Sequence, residues 1–388
     1  MKTHTKLLMP IALFGLVLLV DKIALIPAVR DAGRREATPM ENLSVSFTAA
    51  LEQLKRSHAV GQADSSNLPS APYIFLGSSR SEIFQALHPE VIRAAPGLRA
   101  DRRAQFLQAT FETRGILRAG DVWVELLMTG VVLDSGIRPK LVLIELSPEM
   151  LNDANPHGVQ NRVGVTVYDP PEMLALLRTA TGDLRYDTAR RLLFITYNYN
   201  LRPERALRNL MNDKTYRDNG ALAMLMLTNQ PSVKPLAADY VDYPIDAIPP
   251  EQYAERFVAY TDLLAERDIL HDYRFSPTQH GLLRLLLKRL RGAELPVLFW
   301  SPPVHPELER RRAQRLASDA NADSSGRTPG EAAEAAYAEI RAAGFPLIDV
   351  RESELNCRRW TDASHLSDRC APEALQYLLD AYEQAAAN

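Results

Sequence analysis

The strongest constraint on this chain is a set of short, almost wholly apolar runs separated by segments with helical periodicity. They are "YIFL" (Tyr73–Leu76), "LVLIEL" (Leu141–Leu146), "PVLFW" (Pro296–Trp300) and "PLIDV" (Pro346–Val350). Each run is too short for a buried helix and shows no alternation of apolar with polar residues, so it reads as a strand covered on both faces. Covered strands alternating with helices predict an α/β domain built on a central parallel sheet. A further strand is expected around Phe106–Phe111, with helices over Asp121–Leu133 and Ala332–Ala342. Another helix should begin at Ser276, where Ser276 and Gln279 have the spacing of a capping box and Pro277 takes the first helical position. Sheets of this kind carry their functional loops at the carboxyl ends of the strands.

The N-terminus puts Lys2 and Lys6 ahead of an uncharged run, Leu7–Val20; a second apolar run, Ile23–Val29, follows Asp21 and Lys22. This predicts a retained signal-anchor over residues 1–30 that crosses a bacterial cytoplasmic membrane once and holds the remainder on its outer side. Residues 31–70 read as a juxtamembrane helix, with Leu43, Phe47, Leu51 and Leu54 at helical spacing, followed by a polar linker. The α/β domain should occupy 71–388. From about 152 to 248 the strand–helix rhythm is lost, which marks an insertion over one rim of the sheet.

A net charge of -3 gives no basic field for holding nucleic acid. No GxxxxGK[ST] or GxGxxG motif and no cluster of metal-ligating residues occurs, so neither a cofactor nor a metal is expected. The two cysteines, Cys357 and Cys370, could close a short disulfide loop in an exported domain; the other reading is a pair of buried thiols.

Chemistry concentrates in two stretches. In "YIFLGSSRSEIF" Gly77 lets the chain turn sharply after a strand and delivers Ser78 and Ser79 to the functional edge of the sheet. A serine needs a base to act as a nucleophile. "WTDASHLSDRCAPEALQYLL", after the last strand, supplies Asp362 and His365 near the start of a C-terminal helix pattern. At that spacing the carboxylate can orient the imidazole while the other ring nitrogen faces the serine.

These two blocks resemble those of the SGNH (GDSL-like) hydrolase superfamily over roughly residues 71–147 and 282–382. The resemblance implies a three-layer α/β/α domain in which Ser79 is the nucleophile, His365 the base and Asp362 the acid that orients it. Gly120 would stand where the family's second block offers an oxyanion N–H, with Gly115 competing for that place. The third block departs: "SPEMLND" puts Ser147 and Glu149 where a glycine and an asparagine are usual. With its "GSSR" block and N-terminal anchor the chain looks more like the membrane-anchored DltD-type proteins and their alginate-acetylating relatives. That likeness implies an acyl-enzyme route to O-acylation of an envelope glycan, beside a membrane-bound O-acyltransferase partner. A carbohydrate or lipid esterase with the same triad, and a non-catalytic polysaccharide-binding or scaffold protein, are the competing readings. Arg80, Glu149 and His305 are candidate contacts to substrate, and Ser78 is a neighbour of the nucleophile.

Overall fold

The computed structural model describes residues 2–33, 50–52, 71–116, 122–153, 170–198, 242–247, 273–318 and 328–387, with isolated positions at 201, 211 and between 251 and 261. The chain divides into two compact units, one of residues 1–46 with 160–230 and one of residues 47–159 with 231–388.

In the larger unit the described strands are β1 (Tyr73–Ser78), β2 (Phe111–Ile116), β3 (Leu141–Glu145), β4 (Tyr243–Pro244), β5 (Val297–Ser301), β6 (Leu347–Asp349), β7 (Arg359–Asp362) and β8 (His365–Leu366). Five of them form a parallel sheet in the order β2-β1-β3-β5-β6, so the fold is α/β with a central parallel sheet. The chain leaves β1 for β2 on one side and returns to β3 on the other. The strand order therefore reverses at β1 and β3, and a crevice at their carboxyl ends is where such sheets place ligands. β4, β7 and β8 make a separate small antiparallel sheet.

The apolar runs of β1, β3 and β5 are buried on both faces, whereas β6, at the edge of the sheet, is covered only in part and exposes Asp349. On one face Tyr73, Phe75, Leu141, Leu143, Leu298 and Trp300 share a core with Phe84 and Phe106. Phe84 stacks on Phe75 with ring centroids 4.4 Å apart and meets Trp300 edge-on at 5.4 Å. The described helices of this unit are α1 (Pro89–Ala94), α2 (Ala100–Leu107), α3 (Val122–Ser135), α4 (Pro277–Ala293), α5 (Pro306–Ser318), α6 (Pro329–Ala342) and α7 (Ala371–Ala387). Leu375, Leu378 and Leu379 of α7 complete the first core. The alternate strand residues Ile74, Leu76, Val142, Ile144, Val297 and Phe299 point the other way and are equally buried. On that side α3 packs against β1 and α4.

Two local expectations shift. The strand expected at Phe106–Phe111 begins only at Phe111, and Phe106 closes α2. Both rings enter one core and meet edge-on at 6.1 Å, so two elements mimic a single alternating strand in the sequence. At α4, Ser276 Oγ accepts the Gln279 N–H as a helix cap. The Gln279 side chain, however, does not fold back onto the cap; its oxygen accepts the Val122 N–H at 2.9 Å and caps α3 instead.

The smaller unit holds the N-terminal helix Lys2–Lys22, the helices Pro170–Thr179 and Gly182–Leu193, and the helical turn Ile195–Asn198. Asp21, between the two apolar runs of the N-terminus, is buried and accepts the Ile195 and Thr196 N–H groups at 2.7 and 2.9 Å. Lys22 Nζ donates to the Leu193 carbonyl at 2.6 Å. Among the described residues no helix is long and apolar enough to cross a membrane, so the membrane-spanning anchor expected over residues 1–30 is not supported. Its uninterrupted run, Leu7–Val20, contains Pro10 and falls short of the roughly 20 residues a bilayer core requires. The juxtamembrane helix expected beyond it lies outside the described residues except at 50–52.

Candidate active site

Ser78 is the last residue of β1, and Ser79 and Arg80 make the turn into a short 3-10 helix, Ser81–Ala86. The helix that follows the serine is thus a single tight segment, not an α-helix. The turn is organised from below by Glu145, the last residue of β3, which is fully buried. Its carboxylate accepts the Ser78 N–H at 2.8 Å, the Ser78 hydroxyl at 2.5 Å and the Ser81 hydroxyl at 2.7 Å. The Ser78 oxygen in turn accepts the Arg80 N–H at 3.2 Å. Gly77 makes this approach possible: a β-carbon there would lie 2.2 Å from Ser81 Oγ and 2.6 Å from Glu145 Oε2.

Asp362 and His365 sit on a β-hairpin, directly opposite one another at the ends of β7 and β8 and shortly before the C-terminal helix. Helix α7 begins only at Ala371. Ser79 Oγ lies 2.8 Å from His365 Nε2. His365 Nδ1 lies 2.8 and 2.9 Å from the two Asp362 oxygens. Asp362 Oδ1 also accepts the Ser364 and His365 N–H groups at 2.8 and 3.0 Å, which fixes the carboxylate within the turn. Burial alone would push the Asp362 carboxyl up; the bond and charge of His365, with the Ser364 donors, hold it below the usual carboxylate range. An ionised carboxylate can only accept, so Nδ1 carries the imidazole proton and Nε2 is free to take the one on Ser79.

The hairpin is tied down from two sides. Asp242, beside β4, accepts Arg359 Nη2 at 2.7 Å and the Ser367 hydroxyl at 2.5 Å. Burial would raise the Asp242 carboxyl, but Arg359 and Ser367 hold it below its ordinary range. Cys357 and Cys370 form a disulfide across a separation of 13 residues that brackets both Asp362 and His365. Replacing both cysteines by alanine should lower stability by roughly 3 kcal/mol through loop-closure entropy and slow any reaction of Ser79. Urea midpoints and labelling rates of the double variant that match wild type would remove the disulfide from the site's support.

The remaining candidates fall into different places. Arg80, a candidate contact to substrate, donates to Glu149 at 2.6 Å. Arg312 of α5 donates to the same Glu149 oxygen at 2.9 Å. Burial would raise the Glu149 carboxyl, yet the two guanidinium charges hold it well below the usual range. An ionised Glu149 accepts but cannot donate, so it does not substitute for the asparagine donor of the resembled family. Arg80, Glu149 and Arg312 line one end of a cleft of about 540 Å³ at the carboxyl ends of β5 and β6, with Tyr337, Asp349 and Arg351 also on its walls. His305 accepts the Glu307 N–H on Nδ1 at 3.1 Å, at the start of α5, and its own N–H donates to the Ala363 carbonyl at 2.9 Å. Its ring meets Trp360 and Phe257 edge-on. His305 therefore braces the turn between Asp362 and His365. Gly120 lies outside the described residues, and Gly115 pairs with Gly77 in the β1–β2 register. Among the described residues no group of three His, Cys, Asp or Glu side chains could hold a metal ion.

Sequence reasoning missed Glu145, Arg312 and Asp242. Only Glu145 left a signal, as the one charge inside "LVLIEL"; an acid in a doubly covered strand must meet donors. Arg312 is one of several arginines in "ERRRAQR", and Asp242 lies in an irregular stretch with no periodicity. No curated protein and no solved structure matches the chain. The family described as "Protein of unknown function (DUF1574)" matches residues 1–382, and the chain belongs to that family.

Proposed function

We propose that this protein is an extracytoplasmic, membrane-attached serine acyltransferase of SGNH type, acting through an acyl-enzyme in O-acylation of a cell-envelope polysaccharide. The observation that carries the reading is the continuous relay from Ser79 Oγ through His365 to Asp362, at 2.8 Å on each side of the ring, at the carboxyl edge of a parallel sheet. His365 Nε2 takes the Ser79 proton as Oγ attacks an acyl carbonyl, and returns it to the leaving oxygen as the tetrahedral adduct collapses. In the second half the same nitrogen deprotonates the acceptor hydroxyl, which attacks the acyl-enzyme, and the proton ends on Ser79 Oγ. Acceptance by water in place of a sugar hydroxyl makes the enzyme an esterase.

Three features support the wider setting. The disulfide suits an oxidising compartment. Exposed apolar side chains from Met9 to Val29, among them Leu13, Leu16, Leu19 and Ile23, give a surface that a bilayer would cover. The cleft beside Arg80 has the volume of a small-molecule site and offers both donors and acceptors, which suits a polyhydroxylated ligand. A membrane-bound O-acyltransferase is the partner that would supply the acyl group.

The test is reaction of the purified full-length chain with a fluorophosphonate. Wild type should be labelled at one serine, and Ser79→Ala should not be labelled at all. A folded wild type that resists the probe would instead favour a non-catalytic glycan-binding role.

A further inference from the structure

We propose that Glu145 is a positioning residue for Ser79, and that its carboxylate aims the nucleophile by holding the residues on both sides of it. The inference rests on the reading of Ser79 as the nucleophile.

Three donors converge on this one group: the Ser78 N–H, the Ser78 hydroxyl and the Ser81 hydroxyl. Ser78 immediately precedes the nucleophile and Ser81 follows two residues later. The Ser78 oxygen passes the restraint on by accepting the Arg80 N–H, so three of the four residues Ser78–Ser81 are tied to Glu145 directly or through one atom. Ser79 is the one whose side chain points elsewhere, to His365. Glu145 is fully buried, as is Ser81, whereas Ser78 is half-buried. A carboxylate suits the position because it offers acceptors on both oxygens and no donor. A side chain that served only to fill space here would be apolar, as in the rest of β3. Gly77 fits the same account, since any β-carbon at that position would displace both Glu145 and Ser81.

The consequence for rate follows from geometry. Without the carboxylate the turn can relax, and a shift of about 1 Å in a reacting group costs about a hundredfold in rate. Glutamine keeps one acceptor oxygen for the Ser78 N–H and the Ser81 hydroxyl but presents its amide donors to the Ser78 hydroxyl. That hydroxyl must then accept from both the amide and the Arg80 N–H.

The experiment measures two quantities on the full-length protein with a fluorophosphonate: the fraction of molecules labelled at completion, and the second-order rate constant for those that label. Glu145→Ala should label to the wild-type extent with a rate constant lower by about a hundredfold, and Glu145→Gln should recover to within about tenfold of wild type. Ser78→Ala removes the hydroxyl's bond to Glu145 and the link to Arg80, keeps the Ser78 N–H and Ser81 hydroxyl bonds, and should fall between them; it carries the test with Glu145→Gln where Glu145→Ala does not fold. Rate constants within about threefold of wild type in the folded variants would overturn the proposal. So would a reduced labelled fraction with an unchanged rate constant, because that is the mark of a residue needed for folding alone. Absence of labelling in folded wild type would remove the nucleophile reading itself, and the proposal with it. That result is separate from any in which wild type reacts and the Glu145 variants do not slow.

Discussion

Asp362→Asn should lower the rate of Ser79 acylation by about 10⁴ while leaving the fold intact. The structure dictates which way the new amide would face. Asp362 Oδ1 accepts the Ser364 and His365 N–H groups, so the asparagine oxygen must occupy that place to keep both bonds. The amide nitrogen then takes the position of Oδ2, 2.9 Å from His365 Nδ1, and its donation to that nitrogen competes with acceptance by the oxygen 2.8 Å away, which holds the other tautomer. An imidazole that accepts on Nδ1 carries its proton on Nε2, the nitrogen 2.8 Å from Ser79 Oγ. It can no longer receive the serine proton. The variant also loses the negative charge that stabilises the imidazolium formed on attack. Because His365 and the Ser364 donors hold the wild-type carboxyl below its usual range, Asp362 is ionised throughout the neutral range, and the deficit should persist across it. Fluorophosphonate rate constants for the two proteins at several pH values decide the matter. A loss of tenfold or less would mean that Asp362 braces the hairpin without setting the tautomer.

The parts of this site that were legible in the sequence are those set by local rules. Doubly buried strands must be continuous apolar runs, so β1, β3 and β5 could be read directly, and with them the edge on which Ser79 would appear. The pairing of Ser79 with Asp362 and His365 was legible because an α/β sheet gathers loops from distant parts of the chain onto one edge. The hairpin was not. "RWTDASHL" carries only four strand residues before its turn, and the hydrogen-bonding residues Asp362 and Ser364 are equally at home in a helix cap. The partners of Glu149 were beyond reach for a different reason. Arg80 and Arg312 are 232 positions apart, and nothing in the composition of α5 marks one of its arginines as buried. Short-range patterns fix elements, whereas the choice of a buried ionic partner is made by the packing of those elements against each other.

That packing makes Glu149 a position where a single change should cost much of the stability. Its side chain and those of Arg80 and Arg312 are each about nine-tenths buried, and one carboxylate oxygen serves both guanidiniums. Removing the anion by Glu149→Ala takes from both guanidiniums the buried carboxylate they share, a loss of about 3–5 kcal/mol for a broken buried pair. Urea midpoints at neutral pH measure it. The pH dependence then identifies the cause. Burial pushes the folded carboxyl up, yet the two arginines hold it far below the usual carboxylate range. A depressed folded value means the contribution is fully present above the unfolded value and is lost as pH falls through the folded one. The gap in stability between wild type and Glu149→Ala should therefore be constant near neutrality and narrow as pH drops below about 4. A gap that keeps its size in acid would mean that the alanine acts by leaving a cavity, and that the ion trio beside Ser79 contributes little. A gap that closes would show that the charge of Glu149 keeps Arg80 in place. In that case Glu149 stands to the far side of the nucleophile turn as Glu145 does to its base, and acid would loosen the turn before it unfolds the sheet.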